Sequence, residues 1–390
     1  MSDSLDVYIV SAVRTPIGCF KSTLSSITAV ELGAIAVKGA LEKISLNPSE
    51  VDEIFMGNVC QANNGQAPAR QVALKSGLPV SVPATTINKV CASGLKSVML
   101  GAQQLQIKQQ NIVVAGGMES MSNVPFYIKR GELPYGGFQT IDGIVNDGLS
   151  DGVSKMHMGE CAEKTAEEFQ LTREIQDNYA SLSYQRSANA WLNGAFKEEI
   201  IPVIIKDRKG EKVINEDEEY SKFDAAKMKT LRTVFKKDGT ITAANASPLS
   251  DGASALILAN IEKIKELNLT PLAKIIVYGD VAVEPSSFDQ APAKLIPILL
   301  KKAGLSDTDI SLYELNEAFS TVPLVAMKHL DISSDKINVH GGAVSLGHPI
   351  GMSGARILTH LVYALKKGEY GCCAICNGGG GASGMIIQKI

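Results

Sequence analysis

Short apolar runs alternate with amphipathic stretches through the first third of the chain. Periodicity predicts buried strands at residues 6–13, 52–59, 85–90 and 111–120, and helices at 28–45 and 92–107. Strands that alternate with helices in this way are typical of a layered α/β fold.

The C-terminal third repeats this order. Its predicted elements are strands at 272–278, 311–319 and 372–376 and a helix at 353–365. Landmarks in the two parts have similar spacing, because Gly57 to Ser93 spans 36 positions and Asn316 to Ser353 spans 37. Any α/β protein repeats strand and helix, but two halves with Ser353 lying 260 positions after Ser93 are the expected architecture.

Residues 121–250 interrupt the pattern between the two halves. They contain loop-like sequence, a helical pair at about 159–195 and a charged segment at 197–240. Lysine and arginine concentrate at residues 222–237 of that segment. A charge run is usually a solvated face, and the alternative here is a dock for a polyanionic ligand such as a nucleotide phosphate.

Composition and charge exclude several classes of protein. The 390 residues are 45% hydrophobic and 20% charged, which suits two or three domain-sized units with a large core. The 38 basic and 41 acidic residues are mixed along the chain, so neither a nucleic acid nor a membrane partner is expected. Seven cysteines, an odd number, argue against a disulfide framework.

Three positions could carry chemistry. Cys91 lies where a predicted strand meets a helix, whose N-terminal N–H groups and dipole would favour a thiolate; an inert buried cysteine is the alternative. His348 precedes a proline in a glycine-rich loop and should project from that loop. Cys376 ends an apolar strand, and the glycines that follow at 378–381 could form an anion-stabilising nest.

Other motifs do not fit their context. GGGASG near the C-terminus matches a dinucleotide fingerprint, but only six residues follow it, too few to open a helix. Cys373 and Cys376 form a CxxC without the second pair that a zinc site needs. A metal site built from His340, His348 and a cysteine lacks a further ligand at suitable spacing and is not expected.

Seven segments carry a resemblance to a known family: NKVCASGLKSV, VVAGGMESMS, HMGECAEKTA, TAANASPLSDGA, NEAFS, GGAVSLGHPIGMSGARI and CNGGGGASGM. They resemble the thiolase family, in particular its acetyl-CoA C-acetyltransferase branch of the mitochondrial type. The resemblance implies two similar βαβαβαββ halves, stacked as five αβαβα layers, with an inserted loop domain. It places the N-terminal half at 1–120 and 250–271, the loop domain at 121–249 and the C-terminal half at 272–390.

The resemblance also implies catalytic roles. Cys91 matches the acyl-accepting nucleophile, His348 its base, and Cys376 the acid/base cysteine. Asn316 would hold a water that, with His348, stabilises an enolate, and the N–H groups of Cys91 and Gly378 would form a second oxyanion hole. The implied reaction is the reversible condensation of two acetyl-CoA to acetoacetyl-CoA and CoA, by a ping-pong mechanism through acetyl-Cys91.

Ligand positions are implied in the same way, with coenzyme A as substrate and product. The matching coenzyme A contacts are His157, Tyr184, Lys222, Phe223, Asp224, Lys227 and Ser247. Close relatives have Arg-Val-Asp where this chain has Lys222-Phe223-Asp224, which weakens the case for a specific phosphate fork. The mitochondrial type also binds potassium, and the matching positions are Tyr184, Ala243, Ala244, Ala246 and Val344.

Two other functions stay open at this point. A broad-range 3-ketoacyl-CoA thiolase of β-oxidation would differ mainly in acyl-pocket volume. The branch that also uses 2-methylacetoacetyl-CoA has Phe-Pro where this chain has Phe288-Asp289, which leaves branched substrates open. A non-catalytic acyl-CoA-binding protein should lack Cys91, His348 or Cys376, and all three are present. The resemblance further implies a homotetramer and a mitochondrial or cytoplasmic location.

Overall fold

The computed structural model describes residues 5–132, 134–207 and 210–390, so residues 1–4, 133, 208 and 209 of the predicted domains lie outside the described residues. The strands are β1 Val7–Arg14, β2 Gly18–Cys19, β3 Glu53–Gly57, β4 Ala84–Ile87, β5 Ile112–Ser120, β6 Phe126–Tyr127, β7 Ile141–Asp142, β8 Val203–Asp207, β9 Gly210–Ile214, β10 Ser250–Asn260, β11 Ala273–Ala282, β12 Ile310–Leu315, β13 Tyr370–Asn377 and β14 Gly381–Lys389. The predicted α/β class is confirmed.

The helices alternate with these strands in both halves. They are α1 Ala29–Lys43, α2 Pro68–Lys75, α3 Ser93–Gln106, α4 Met158–Glu168, α5 Arg173–Leu192, α6 Ala225–Thr230, α7 Ile261–Glu266, α8 Ala291–Ala303, α9 Thr321–Leu330, α10 Ala343–Leu346 and α11 Ser353–Ala364. Across the described ranges, no helix is both long and apolar enough to cross a membrane.

Ten strands form one sheet, which is built from two half-sheets. The strand order is β12–β13–β14–β11–β1–β10–β5–β3–β4, and β2 pairs with β10. β1 lies between the halves and is antiparallel to both β10 and β11, with Val7 opposite Asn260 on one side and Ile275 on the other. Only a short stretch of β1 pairs with β11, from Val7 to Ile9, so the half-sheets join at one edge.

Three apolar clusters separate the two half-sheets from each other and from solvent. The central cluster packs α3 and α11 between them and contains Leu95, Leu358, Val113 and Ile375, all fully buried. A second cluster packs α1 and α2 on the outside of the N-terminal half-sheet, and a third packs α8 and α9 outside the other. The expected αβαβα layering is confirmed.

The two central helices touch backbone to backbone at their first turns. A Cβ atom on Gly94 would lie 2.8 Å from the Ala355 nitrogen, and one on Gly354 would lie 2.5 Å from the Leu95 nitrogen. Side-chain atoms cannot occupy that space, so both positions need glycine. This packing brings together the segments that lead into the two helices, which carry Cys91 and His348.

Three strands end earlier than predicted, namely β3, β4 and β12, and the last two have a visible cause. β4 ends at Ile87 because the chain turns through Val90, whose φ of 48° is left-handed. β12 ends at Leu315 because Glu317 turns away to accept a hydrogen bond from Tyr179 Oη at 2.7 Å. Each early ending frees a loop from the sheet edge.

The C-terminal half lacks a full third strand, where the family plan predicts one. A single bridge joins Tyr313 and Ile337 instead. The next residue, Asn338, has a φ of 47°, and its side chain both accepts from the Leu315 N–H and donates to the Leu315 carbonyl at 2.8 Å. A side chain therefore replaces the strand ladder at this point.

The middle segment between β5 and β10 contains the predicted helical pair, α4 and α5, which is confirmed. Arg14 at the end of β1 anchors this segment to the sheet. Its buried guanidinium donates from Nε to Glu199 at 2.6 Å and from Nη1 to Asp217 at 2.7 Å. The segment is thereby held against the carboxyl end of β1.

Candidate active site

A cavity of about 450 Å³ opens beside Cys91 and His348. Its wall is mainly apolar and includes Met121, Leu149, Met158, Phe235, Phe288, Phe319 and Ile350. The predicted site residues that line it are Cys91, His157, Ala243, Ala246, Ser247 and His348. A second depression of about 630 Å³ between residues 128 and 141 contains none of the predicted site residues.

Cys91 lies in the bend between β4 and α3 and is 8% exposed. Burial raises the pKa of its thiol to about 11, and the N–H groups of Gly378 and of Cys91 itself offset only part of that rise. The expectation that a helix N-terminus would favour the thiolate is wrong here, because desolvation of the anion outweighs the backbone dipoles. A neighbouring base is therefore needed to activate this thiol.

The turn after β13 brings Gly378 to the Cys91 sulfur. Gly379 and Gly380 follow with left-handed φ values of 84° and 79°. A Cβ atom on Gly380 would lie 2.3 Å from the Val283 carbonyl oxygen, so no larger residue fits. The glycine run therefore gives the chain the path that directs a backbone N–H to the thiol.

Cys376 is fully buried at the end of β13. It shares an apolar cluster with Met158, Phe288 and Phe319, three side chains of the cavity wall. Burial raises the pKa of the Cys376 thiol well above its ordinary value, and the charges of Cys91 and Asp289 raise it further. The two cysteines predicted to be reactive are therefore close enough to interact electrostatically.

The hydrogen bonds of His348 define its tautomer. Its Nδ1 lies 2.6 Å from Ser353 Oγ, and that hydroxyl donates to the Pro349 carbonyl at 3.0 Å. Because a hydroxyl has a single proton, a Ser353 that donates to Pro349 accepts from Nδ1, which then carries the ring proton, and this tautomer leaves Nε2 free to accept from the Asn316 amide. Burial lowers the pKa of His348 to about 3, assisted by the charge of Arg356. The ring is thus neutral at pH 7, and Nε2 is its basic nitrogen.

Asn316 lies on the Nε2 side of this ring. Its Nδ2 is 3.5 Å from His348 Nε2, and its backbone N–H donates to the Ala374 carbonyl at 3.0 Å. The buried Asn316 Oδ1 has no hydrogen-bond partner in the described part of the chain. A buried amide oxygen of this kind is a natural acceptor for a polar ligand group or an ordered water.

Glu119 supports the loop that carries His348, and sequence reasoning missed it. Its Oε2 accepts from the N–H groups of Gly351 and Val59, both at 3.0 Å. Burial raises the pKa of this carboxyl to about 7. The sequence signal that could have identified Glu119 is an acidic residue near the end of an otherwise apolar strand.

Glu317, next to Asn316, supports the same loop from the other side and was also missed. Its fully buried carboxylate accepts four hydrogen bonds at 2.7–3.0 Å, from Tyr179 Oη, Ser183 Oγ, Asn338 Nδ2 and the Val344 N–H. These donors come from α5 and from the segment before His348. The carboxylate therefore fixes Asn316 relative to the loop.

Two of the predicted coenzyme A contacts lie in the cavity wall. His157 caps α4, because its Nδ1 accepts from the Gly159 N–H at 3.0 Å, and its ring stacks on Phe235 with centroids 4.8 Å apart. Ser247 Oγ donates to the Ala318 carbonyl at 2.8 Å. Both side chains therefore border space that a ligand can enter.

The other predicted coenzyme A contacts are absent from the cavity wall: Tyr184, Lys222, Phe223, Asp224 and Lys227. Phe223 stacks on Tyr184 with centroids 5.0 Å apart, and Lys222 Nζ lies 3.3 Å from Glu219. Asp224 caps α6 by accepting from the N–H groups of Ala226 and Lys227 at 3.0 Å. The contacts described for these residues are therefore with other parts of the protein and not with the cavity.

The predicted potassium positions fall into two neighbouring groups. Tyr184 and Val344 are members of one apolar cluster against which Ala244 packs, while Ala243 and Ala246 line the cavity. Burial and the nearby Glu219 raise the pKa of the Tyr184 hydroxyl. Clusters of three or more His, Cys, Asp or Glu residues that could hold a metal are absent from the described residues.

Comparison with known proteins agrees with this arrangement. Residues 7–262 match the thiolase N-terminal domain and residues 269–389 match the thiolase C-terminal domain. The chain is 55% identical over 387 residues to the mitochondrial acetyl-CoA acetyltransferase of Bos taurus, covering 99% of this chain and 92% of that protein.

Two crystal structures share the fold. The Acat5 thiolase from Ascaris suum, in complex with coenzyme A, has a TM-score of 0.96 and 48% identity, with 99% of this chain and 100% of that chain covered. The human mitochondrial 3-ketoacyl-CoA thiolase has a TM-score of 0.94 and 38% identity, with 99% of each chain covered. With both thiolase domains matched and more than half of the positions identical to a relative along nearly its whole length, this chain belongs to the thiolase family.

Proposed function

We propose that this protein is an acetyl-CoA C-acetyltransferase, which condenses two acetyl-CoA to acetoacetyl-CoA and CoA and catalyses thiolysis in reverse. The observation that carries the proposal is that Cys91 and neutral His348 line one apolar cavity, with Cys376 packed against its wall and the Gly378 N–H beside the Cys91 sulfur. The identity with a relative named acetyl-CoA acetyltransferase supports the choice of substrate.

In the first half-reaction, His348 Nε2 takes the proton of the Cys91 thiol. The sulfur attacks the thioester carbonyl of acetyl-CoA, and the departing CoA takes the thiol proton of Cys376, which gives acetyl-Cys91, a Cys376 thiolate and a protonated His348. Because burial keeps the pKa of Cys91 near 11, proton transfer accompanies the attack. The N–H groups of Cys91 and Gly378 stabilise the oxyanion, and one such donor is typically worth about 100- to 1,000-fold in rate.

In the second half-reaction, Cys376 removes an α-proton from a second acetyl-CoA. Cys376 acts here as the thiolate that the first half-reaction leaves, and because burial raises the pKa of its thiol, that thiolate is a strong base suited to a weak carbon acid. The enolate oxygen binds beside His348, where Asn316 Oδ1 can hold a water. The carbanion then attacks the carbonyl carbon of acetyl-Cys91 and releases acetoacetyl-CoA, and the Cys91 thiolate that leaves takes back the proton held by His348.

We infer that coenzyme A enters along His157 and Ser247, with its phosphates toward the basic residues of 222–237. Potassium would bind the carbonyl oxygens of Ala243, Ala244, Ala246 and Val344 and the hydroxyl of Tyr184. Support comes from the first three carbonyls, which accept no hydrogen bond from any donor in the described ranges. Exchange of potassium for sodium should raise the KM for CoA if this site is used.

We also propose the predicted division into an N-terminal half, a loop domain at 121–249 and a C-terminal half, together with a homotetramer and a mitochondrial location. Relatives named as mitochondrial enzymes support the location. Sedimentation velocity at micromolar concentration tests the oligomer, since a monomer or dimer there would contradict it.

Two variants test the reaction. Cys91→Ser should form no acetyl-enzyme with acetyl-CoA, as measured by intact-protein mass. Cys376→Ala should still be acetylated on Cys91 but should condense no second acetyl-CoA. Undiminished condensation in Cys376→Ala would contradict its role as the base.

The alternative activity, a broad-range 3-ketoacyl-CoA thiolase, is separated by acyl-chain length. The proposal expects a higher kcat/KM for acetoacetyl-CoA than for a 3-ketoacyl-CoA of eight carbons. A clear preference for the longer chain would replace the proposed function with the alternative.

A further inference from the structure

Asp289 is a buried acid in the turn before α8, next to Phe288 of the cavity wall. Its side chain is fully buried. Thr165 Oγ1 donates to Oδ1 at 2.6 Å, and Thr321 Oγ1 donates to Oδ2 at 2.9 Å. The carboxyl therefore connects two hydroxyls that belong to different helices, α4 and α9.

Each residue of this group, the Asp289 clamp, is attached to a segment that supplies one apolar side chain to the cavity wall. The pairs are Thr165 with Met158 on α4, Thr321 with Phe319 just before α9, and Asp289 with Phe288. These three wall residues share the apolar cluster of Cys376, and the rings of Phe288 and Phe319 meet edge to face with centroids 6.2 Å apart. The clamp thus ties together three sides of the cavity close to the reacting cysteines.

Fold stability does not explain why an acid occupies this position. Burial raises the pKa of Asp289 to about 7 against the effect of the two threonines, so the site disfavours the charged form. An apolar residue of similar volume would avoid that cost. Hydrogen bonds, however, are directional, and they hold the three segments at a defined separation that apolar contact alone leaves free to adjust.

We propose that Asp289, together with Thr165 and Thr321, is a positioning residue that sets the width of the cavity between Met158, Phe288 and Phe319 and thereby limits the size of the acyl group accepted. This inference rests on the proposed function. In apolar pockets, one methylene changes kcat/KM by about 10- to 200-fold. Loss of the clamp hydrogen bonds should therefore change the ratio of kcat/KM between two substrates that differ in acyl-chain length.

The test is the double variant Thr165→Val/Thr321→Val, which removes both donors at nearly constant volume. The measured quantity is kcat/KM for thiolysis of 3-ketopentanoyl-CoA, which has one methylene more, divided by that for acetoacetyl-CoA. The ratio should rise about tenfold, the effect of one methylene in an apolar pocket. Asp289→Asn should keep the wild-type ratio, because its amide can accept from one threonine and donate to the other.

Thr359→Val is the matched control, since it removes a buried hydroxyl that pairs with Ser254 at 2.9 Å away from the cavity wall. Its ratio should equal that of the wild type. If the double variant does not fold, the two single variants decide through the same ratio.

An unchanged ratio in a folded clamp variant, or proportional loss of both activities, would overturn the proposal. So would an Asp289→Asn ratio that shifts as far as that of the double variant, because charge would then be the determinant. Failure of the proposed function looks different: wild-type protein would neither cleave acetoacetyl-CoA nor form acetyl-Cys91.

Discussion

Ser353 is the residue whose removal tests the proton transfer at Cys91 most directly. It begins α11, and its Oγ is the partner of His348 Nδ1 at 2.6 Å. Ser353→Ala leaves the Nδ1–H of a buried imidazole without an acceptor. The tautomer that this change penalises is the one with a basic Nε2, which Cys91 needs.

The magnitude follows from the cost of an unsatisfied buried donor, about 1–3 kcal/mol. That penalty lowers the population of the active tautomer by about 5- to 150-fold. The rate of Cys91 acetylation should fall by about 10- to 100-fold, because His348 must be in that tautomer when the thiol loses its proton. Binding of acetyl-CoA should change little, since Ser353 is absent from the cavity wall.

The assay is rapid mixing with acetyl-CoA, acid quench, and intact-protein mass against time. Ser254→Ala is the control, because it removes a buried hydroxyl that donates to the Val13 carbonyl at 2.9 Å and has no contact with His348. The control should acetylate at the wild-type rate. A folded Ser353→Ala variant that acetylates as fast as the wild type would refute the tautomer argument.

Two further predictions concern stability. The pKa of His348 is about 3 in the folded protein against an ordinary 6.5, so the unfolded chain binds the proton more readily and stability is lost as pH falls below 6.5. One pH unit corresponds to about 1.4 kcal/mol, so the free energy of unfolding of the wild type should fall by about 3 kcal/mol between pH 6.5 and 4 through His348. The His348→Gln variant lacks this contribution. Urea unfolding that shows the same loss of stability with pH in both proteins would contradict the prediction. Gly117→Ala should destabilise by about 1–3 kcal/mol or more, because its Cβ would lie 2.1 Å from the Gly351 carbonyl oxygen. Gly152→Ala meets no atom within 4 Å and should keep the wild-type Tm, so equal Tm values for the two variants would contradict the packing argument.

The residues predicted to react are those the structure brings together. Cys91, His348 and Cys376 come from three motifs that are far apart in the chain, and the packing of α3 against α11 places the first two in the wall of one cavity. Only some of the predicted coenzyme A positions line the cavity. Asp224 instead caps a helix, and Lys222 pairs with Glu219 outside the cavity wall. Their roles stay predictions.

The hydrogen bonds of the buried acids that support the site could not be predicted from the sequence, because their partners are distant along the chain. Asp289 meets Thr165 at a separation of 124 positions, and Glu119 reaches Gly351 at a separation of 232. No local spacing indicates such pairs. Ser353 is only five positions from His348, but a serine at a helix start is usually a cap, and nothing local distinguishes it.

Sequence alone determined the alternation of strands and helices and the duplication of the halves, and it predicted Cys91, His348 and Cys376 as the reactive groups, because side-chain periodicity and motifs are local properties. Tertiary structure decided the protonation states. The helix N-terminus at Cys91 favours a thiolate, yet burial by the whole fold raises the pKa of that thiol to about 11. Burial likewise keeps His348 neutral, and Ser353 selects its tautomer. Desolvation depends on everything that surrounds a group, so only the folded chain could show which side chain carries the proton.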